Sequence, residues 1–243
     1  MLGRRGSLER LEEVVGLARA KGLSRLNLDL IYAIPGETTA QWEEDLRSAL
    51  SLKPDHLSCY SLTVEEGTPL ARRLARQDHD PEEEERFLAC WQSADSLLNA
   101  AGLFRYEISN FSRPGCQCRH NQEVWHGQTY GGCGPAAVSF DGLSRWENPS
   151  ALEDWLQGKP PEQDLLSPSG RQREILAFGM RTLEGWTDEL LRERAGLALA
   201  QVREMPECRR LLQEGLLADT GERLFPTSQG LLLNDLILEA LIL

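Results

Sequence analysis

The hydrophobic and polar positions of residues 26–39 predict a strand followed by a helix. Leucines alternate with other residues along an extended segment, so two faces form: Leu26, Leu28 and Leu30 on one, and Asn27, Asp29 and Ile31 on the other. Pro35-Gly36 ends this strand, and Thr38 with Gln41 forms the capping-box pattern that begins a helix. A strand joined to a helix by a short loop is one βα unit of a parallel sheet.

The polar face of this strand is uncommon, because strands of parallel sheets are normally covered by apolar side chains on both faces. Asn27 and Asp29 lie there instead. A carboxylate in this position either pairs with a neighbouring cation or lines a wet cavity that holds a polar ligand. The pattern alone leaves both interpretations open.

The same periodicities predict further elements in the first half of the chain. They are helices over Ser7 to Lys21, Thr39 to Leu52 and Pro81 to Ala101, and strands over His56 to Val64 and Phe104 to Phe111. This order predicts an α/β domain that forms a partial (β/α) barrel, because the strands are too few to close a full one. Residues 112–139 are irregular and rich in Gly, Pro, Cys and His, which is typical of a functional loop.

The second half of the chain predicts a small helical domain. A short helix over Asn148 to Gly158 and a linker at Lys159-Pro160-Pro161 are followed by helices and one hairpin: Arg173 to Leu183, Thr187 to Arg194, Ala198 to Glu214, the hairpin Leu216 to Pro226, and Ser228 to Leu243. This order is winged-helix-like. We therefore expect a partial barrel over 1–147, a connecting segment over 148–170 and a C-terminal domain over 171–243.

Charge and composition exclude some functions. The 243 residues include 26 Lys and Arg against 38 Asp and Glu, a net charge of −12, which disfavours a nucleic acid partner. Charges balance on the helix predicted over Ala198 to Glu214, so packing or protein contact is favoured there over DNA. The sequence shows neither a signal peptide nor a membrane-spanning run, so we expect a cytoplasmic protein with reduced thiols.

Four possible metal ligands lie close together in the irregular segment: Cys116, Cys118, His120 and His126. Their spacing matches no standard zinc pattern, which needs two ligand pairs. From the residues alone, a zinc site, incidental cysteines and a histidine that fills a hydrogen-bonded turn all remain open.

Several segments of the chain carry distinctive motifs. They are Asp-Leu-Ile-Tyr-Ala-Ile-Pro-Gly-Glu-Thr at 29–38, Tyr-Glu-Ile-Ser-Asn-Phe-Ser-Arg-Pro-Gly at 106–115, Cys-Arg-His-Asn at 118–121 and Gly-Cys-Gly-Pro at 132–135. The first looks like the strand-and-loop signature, and the others look like the central block, of the oxygen-independent coproporphyrinogen III oxidase family of radical S-adenosylmethionine (SAM) proteins. Residues 173–185 and 227–241 resemble its C-terminal domain. The resemblance covers nearly the whole chain and implies a radical SAM fold.

The central block is most similar to the heme-chaperone branch of that family, the HemW-type proteins. That branch implies heme binding at a His-Asn-x-x-Tyr-Trp motif, which His120, Asn121 and Trp125 match, while Val124 stands where tyrosine is expected. Val138 likewise stands where the family has a second histidine. The resemblance thus implies that His120 ligates heme iron and that Trp125 covers a porphyrin face.

The resemblance also implies SAM contacts. The family's SAM-binding arginine falls on Arg4, its strand aspartate on Asp29, and an aromatic and an aliphatic position of a later strand on Tyr60 and Leu62. A carboxylate suits ribose hydroxyls, and an aromatic face suits adenine.

One part of the family pattern is missing. Radical SAM chemistry needs a Cys-x-x-x-Cys-x-x-Cys loop that holds a [4Fe–4S] cluster, and no spacing among the six cysteines matches it. We therefore expect a chain truncated at its N-terminus. The leading hypothesis is a heme-chaperone-like protein that binds heme and SAM. The alternatives are a coproporphyrinogen III oxidase that is inactive as this fragment, and a subunit that needs a missing N-terminal half.

The same resemblance suggests possible partners. These are heme or porphyrin, heme-accepting respiratory proteins, the missing half and, peripherally, a membrane.

Overall fold

Residues 7–75 and 83–242 are described by the computed structural model. The chain divides into two units by packing, Met1–Gln117 and Cys118–Leu243. The domain boundaries expected at residues 147 and 170 remain predictions.

The Met1–Gln117 unit is built on one mixed sheet. Its helices are α1 (Leu8–Ala20), α2 (Thr39–Ser51), α3 (Pro69–Leu74) and α4 (Glu83–Ala100). Its strands are β1 (Asn27–Tyr32), β2 (His56–Ser61), β3 (Phe104–Arg105) and β4 (Asn110–Ser112). Within the described residues the strand order is β1-β2-β4-β3, with β1 and β2 parallel and β4 antiparallel to both of its neighbours.

Helices α2 and α4 pack together, and Trp42 of α2 also contacts the sheet. The Trp42 ring of α2 is fully buried, lies 5.2 Å from the Tyr32 ring of β1, and donates its indole N–H to the Cys90 carbonyl of α4 at 2.9 Å. Leu57 and Phe111 are paired in register and buried. The apolar face of the sheet is therefore the core of this unit, and the polar positions lie on the opposite face.

The predicted βα unit is confirmed. The prediction of a single strand over Phe104 to Phe111 is wrong, because this segment forms two short strands. It is a hairpin of β3 and β4, because the chain turns at the buried Glu107, whose carboxylate accepts a hydrogen bond from the Ser109 amide at 3.1 Å. Helix α3 was not predicted, and the predicted start of the third helix at Pro81 lies outside the described residues.

The Cys118–Leu243 unit is mainly helical. Its helices are α5 (Arg119–Trp125), α6 (Leu152–Leu156), α7 (Pro168–Gly179), α8 (Asp188–Ala195), α9 (Leu199–Glu204), α10 (Pro206–Gln213), α11 (Ser228–Leu232) and α12 (Asn234–Ile242). Its strands are β5 (Val138–Phe140), β6 (Arg145–Glu147), β7 (Glu162–Gln163), β8 (Trp186–Thr187), β9 (Leu217–Asp219) and β10 (Arg223–Pro226). In this part of the described chain β5-β6-β7 and β8-β10-β9 form two antiparallel sheets.

The core of this unit surrounds α7, which packs against α8 and α12. The predicted hairpin is confirmed as β9 and β10. The helix predicted over Ala198 to Glu214 is wrong, since it divides into α9 and α10 at Met205. Proline at 206 disfavours helical torsions in the residue before it, and Met205 has φ −64° and ψ 131°.

The segment 112–139 is not wholly irregular, because it contains α5 and β5. Among the helices in the described part of the chain, none combines the length and the apolar character needed to cross a bilayer.

Candidate functional site

One face of the Met1–Gln117 sheet carries polar side chains on neighbouring strands. The register pairs them in two rows across β1, β2 and β4: Asn27–His56–Ser112 and Asp29–Ser58–Asn110. We call these six residues the polar sheet face. Paired residues in a sheet point to the same side, so residues far apart in the sequence meet here.

A chain of hydrogen bonds runs along this face from a buried phenol to an exposed carboxylate. The Tyr106 hydroxyl lies 2.8 Å from His56 Nε2, and His56 Nδ1 lies 2.7 Å from Asn27 Oδ1. Asn27 Nδ2 then donates to Asp29 Oδ1 at 2.7 Å. Tyr106 and His56 are buried, whereas Asp29 is exposed. His56 and Ser58, which also bonds to the Asn27 amide, therefore orient this amide and, through it, the Asp29 carboxylate.

Two buried oxygen atoms on this face have no hydrogen-bond partner among the residues described. They are Asn110 Oδ1 and Ser112 Oγ, on side chains that are 3% and 2% exposed. Buried polar groups are nearly always hydrogen-bonded, and an unpaired one costs about 1–3 kcal/mol. The polar sheet face therefore combines unused hydrogen-bond capacity in its interior with the exposed polar side chains of Asn27 and Asp29, which a polar ligand can reach.

The residues predicted to contact SAM lie partly on this face. Asp29 is paired with Ser58 of β2. Tyr60 lies two residues after Ser58, on the same face of β2, where it is paired with Ile31 and is 41% exposed. Leu62 is half-buried just beyond the end of β2. The structure thus brings Asp29 and Tyr60 to the same face. Arg4 lies outside the described residues.

The buried His56 makes the stability of this unit pH-dependent. Burial lowers the pKa of His56 below its usual 6.5, and the negative charge of Asp29 offsets this only in part. The unfolded chain therefore binds the proton more readily, so stability present above pH 6.5 is lost as the pH falls through the lower pKa of the folded state.

We expect the urea midpoint of the wild type to fall between pH 7 and pH 5, and His56→Gln to remove part of this loss. His120→Gln, at an exposed position, is the matched control, and its urea midpoint should fall with pH as much as that of the wild type. An equal loss in His56→Gln and in the wild type would contradict this assignment.

The residues predicted to bind heme lie on α5. His120 and Val124 are one helical turn apart on one side, and Asn121 and Trp125 are one turn apart on the next. His120 is exposed, and the described residues give its ring no hydrogen-bond partner. The Cys118 thiol donates to Asn121 Oδ1 at 3.4 Å at the beginning of the helix.

His126, rather than His120, is the histidine that fills a hydrogen-bonded turn. Its ring is buried, with Nδ1 2.8 Å from the Gln122 carbonyl oxygen and Nε2 2.9 Å from the Gly185 carbonyl oxygen. It also lies edge-on to Trp186, with 4.9 Å between ring centroids. His126 is therefore structural, and His120 is the imidazole that α5 presents to solvent.

Trp125 lines a cavity of about 270 Å³, which we call the Trp125 cleft. The cleft is mostly apolar and includes Tyr130, Val138, Phe140, Ile175 and Phe178. Val124 also lines it. The Trp125 and Phe178 rings meet edge to face with 6.3 Å between centroids, and the Arg181 guanidinium lies 4.5 Å above the Trp125 ring.

The polar side chains of the cleft form a closed ion pair. Arg145 donates to both carboxylate oxygens of Glu174, each at 2.7 Å. Arg171, whose side chain is 3% exposed, also contacts Glu174 and Asp164. Two carboxylates, those of Glu174 and Asp164, thus face the two guanidinium groups, so the charges of this cluster balance.

The cysteines do not make a metal centre in the described residues. Across 7–75 and 83–242 there is no group of three or more His, Cys, Asp or Glu that could hold a metal ion, so the zinc interpretation is not supported. Burial raises the pKa of the Cys59 thiol to about 12 and that of Cys208 to about 11, so both stay protonated at neutral pH. Cys116, Cys118 and Cys133 are more accessible. These residues do not fit a [4Fe–4S] cluster.

Comparison with known proteins relates both units to one family. Residues 166–233 match the HemN C-terminal domain. The heme chaperone HemW of Mycobacterium tuberculosis is 34% identical over 228 residues, which cover 93% of this chain and 57% of that protein. The heme chaperone HemW of Escherichia coli is 30% identical over 246 residues, which cover 97% of this chain and 63% of that protein.

The chain belongs to the HemN/HemW family of radical SAM proteins. The solved structure of coproporphyrinogen III oxidase (HemN) from Escherichia coli, a radical SAM enzyme, has the same fold, with a TM-score of 0.77 at 20% identity over 98% of this chain and 59% of that one. The chain spans less than two thirds of these relatives. What those whole proteins do is therefore a proposal for this chain.

Sequence reasoning missed the interior part of the polar sheet face. Tyr106 and Asn110 lie inside a motif that resembles the HemN/HemW family, but no pattern assigned them a role. The position of His56 at the start of a predicted strand was the one available signal. Its contacts with Asn27 and Tyr106 depend on pairings across 29 and 50 residues, which sequence periodicity does not encode.

Proposed function

We propose that this chain is a heme-binding, heme-chaperone-like member of the HemN/HemW family, with His120 as the ligand of heme iron. The observation that carries the proposal is the exposed imidazole of His120 on α5, one turn from Val124 and the Trp125 cleft. The relatives from Mycobacterium tuberculosis and Escherichia coli are heme chaperones, which supports the same proposal.

The residues present fit the bound group. A neutral imidazole is a common axial ligand of heme iron, and His120 has the accessibility that this role needs. Trp125 offers an aromatic surface whose orientation is held by Phe178 and Arg181. Val124 replaces the expected tyrosine, which removes one hydroxyl donor but keeps the cleft wall apolar.

We expect His120→Gln to abolish the shift of the Soret band that the wild type produces during titration with hemin, because the variant lacks the imidazole ligand. Absorption spectroscopy of ferric and ferrous heme measures the effect. His56→Gln is the control, since both nitrogens of that ring are already hydrogen-bonded. An unchanged Soret spectrum in His120→Gln would refute ligation by this residue.

We also propose that Asp29, Tyr60 and Leu62 contact SAM. The exposure of Asp29 and Tyr60 on one face supports this proposal, as does the unused hydrogen-bond capacity of Asn110 in the Asp29 row and of Ser112 in the neighbouring row. When bound, SAM is the source of a radical only with a [4Fe–4S] cluster, whose ligands these residues do not supply. We therefore assign binding residues and no catalytic step.

Finer features of the fold are proposals as well. The parallel pair β1 and β2, joined through α2, supports a partial (β/α) barrel in the Met1–Gln117 unit. Helices α8 to α10 followed by the hairpin of β9 and β10 support a winged-helix-like module near the end of the chain.

The alternative function, oxidation of coproporphyrinogen III, gains no further support. The likeness to the solved structure of that oxidase is at 20% identity and shows the fold alone.

A further inference from the structure

We propose that the Trp125 cleft binds the edge of a porphyrin that carries no carboxylates, and so selects heme and protoporphyrin over coproporphyrin. This inference rests on the proposed function, since it takes α5 as part of the heme site. It adds a second contact, to the macrocycle rather than to the iron, and a specificity that iron ligation by His120 would not provide.

The position of the cleft supports this role. Val124 and Trp125 are adjacent on α5, and both line the cleft. His120 lies one helical turn before Val124 on the same side of the helix. A ring bound at His120 therefore has an apolar opening within one turn of its ligand.

The size of the cleft decides how much of a porphyrin it can take. Pockets that enclose a whole drug-sized ligand measure about 300–1,000 Å³. At about 270 Å³ the cleft is below that range, so it accepts an edge of the macrocycle and leaves the remainder outside. The edge would lie among Tyr130, Val138, Phe140 and Phe178, and aromatic side chains are favourable contacts for a planar π system.

The charges of the cleft decide which edge fits. Arg145 is the cation that lines it, and both of its terminal nitrogens are bonded to Glu174. A carboxylate that entered would meet the Glu174 carboxylate and a guanidinium already paired with it. Burying an ionised carboxylate without a partner is strongly unfavourable. Arg181 lies over the Trp125 ring and is not among the lining residues.

The two porphyrins differ in how many of their pyrroles carry a carboxylate. Protoporphyrin IX has two neighbouring pyrroles that carry methyl and vinyl groups and no carboxylate. Coproporphyrin III has a propionate on every pyrrole. The first can present an edge of two neighbouring pyrroles that carries no carboxylate, whereas every edge of the second that spans two pyrroles carries two propionates.

The test uses the full chain and metal-free porphyrins, so that ligation of iron plays no part. Fluorescence titrations measure the affinities for protoporphyrin IX and coproporphyrin III. We expect the wild type to bind coproporphyrin III at least about tenfold more weakly. Val138→Phe should fill the cleft and weaken protoporphyrin IX binding at least about tenfold, because an aromatic residue is well tolerated on a strand. Val64→Phe, at an exposed position outside the cleft, is the matched control.

A second variant keeps the test decisive if Val138→Phe folds poorly by circular dichroism. Val138→Lys places an unpaired cation at the cleft and should narrow or reverse the preference between the two porphyrins. Equal affinities of the wild type for both porphyrins, no binding of protoporphyrin IX, or protoporphyrin IX binding that Val138→Phe leaves unchanged would each overturn the inference. An unchanged hemin spectrum in His120→Gln together with a cleft effect would refute ligation by His120 and leave the cleft assignment standing.

Discussion

Replacing Glu174 by alanine is expected to lower the free energy of unfolding of the Cys118–Leu243 unit by about 3–5 kcal/mol. Glu174 is buried on α7 between Arg145 and Arg171. Without its carboxylate, two guanidinium groups, one of them 3% exposed, would face each other with Asp164 as their shared acidic partner. Breaking a buried ion pair by removing one partner costs more than the pair contributes, since the remaining charge stays out of water.

Urea denaturation followed by circular dichroism measures this loss, and hydrogen exchange of α7 assigns it to this unit. Glu204→Ala is the control, because Glu204 forms an exposed ion pair with Arg209 in the same unit. Exposed pairs contribute about 0–1 kcal/mol. If the two variants lost similar stability, the ion pair would not be an integral part of the core.

Replacing Asp29 by alanine is expected to weaken SAM binding by about 10- to 100-fold. A hydrogen bond to a charged group contributes about 1.5–3 kcal/mol, and 1.4 kcal/mol is a factor of ten in affinity. Asn27 holds one oxygen of this carboxylate at 2.7 Å, so the group is oriented before a ligand arrives. Truncation removes both the charge and that orientation.

Isothermal titration calorimetry with SAM measures the effect of Asp29→Ala. Glu44→Gln, an exposed acid on α2, is the control for the general loss of negative charge. Wild-type affinity in Asp29→Ala, or a wild type that does not bind SAM, would contradict the assignment of Asp29 as a ribose contact.

Short-range patterns were sufficient for a large part of the fold. The alternation before Pro35 predicted β1, and Thr38 and Gln41 form the expected capping box, with the Thr38 amide donating to Gln41 Oε1 at 2.9 Å. The hairpin predicted around residues 220–222 is present as β9 and β10. These features depend on torsions and hydrogen bonds within a few residues, and the sequence records them directly.

Longer elements were less predictable where one residue overrides a periodic pattern. Periodicity favoured one helix over Ala198 to Glu214, yet Pro206 divides it. Gly and Cys around residue 116 suggested an irregular loop, so α5 was missed, although it carries the heme motif. It is seven residues long and begins at Arg119, and the N-cap residue Cys118 makes no side-chain hydrogen bond to the backbone, so the helix has little local signal of its own.

The sequence by itself determined the βα unit, the hairpin, the motifs of the HemN/HemW family and the residue types available for heme and SAM. Only the tertiary structure decided that His126 is internal and His120 exposed. It also decided that His56 positions Asn27 and that Arg145 is neutralised by Glu174, 29 residues away. The physical reason is that hydrogen bonds and ion pairs between distant residues follow from strand register and helix packing, which depend on the whole fold.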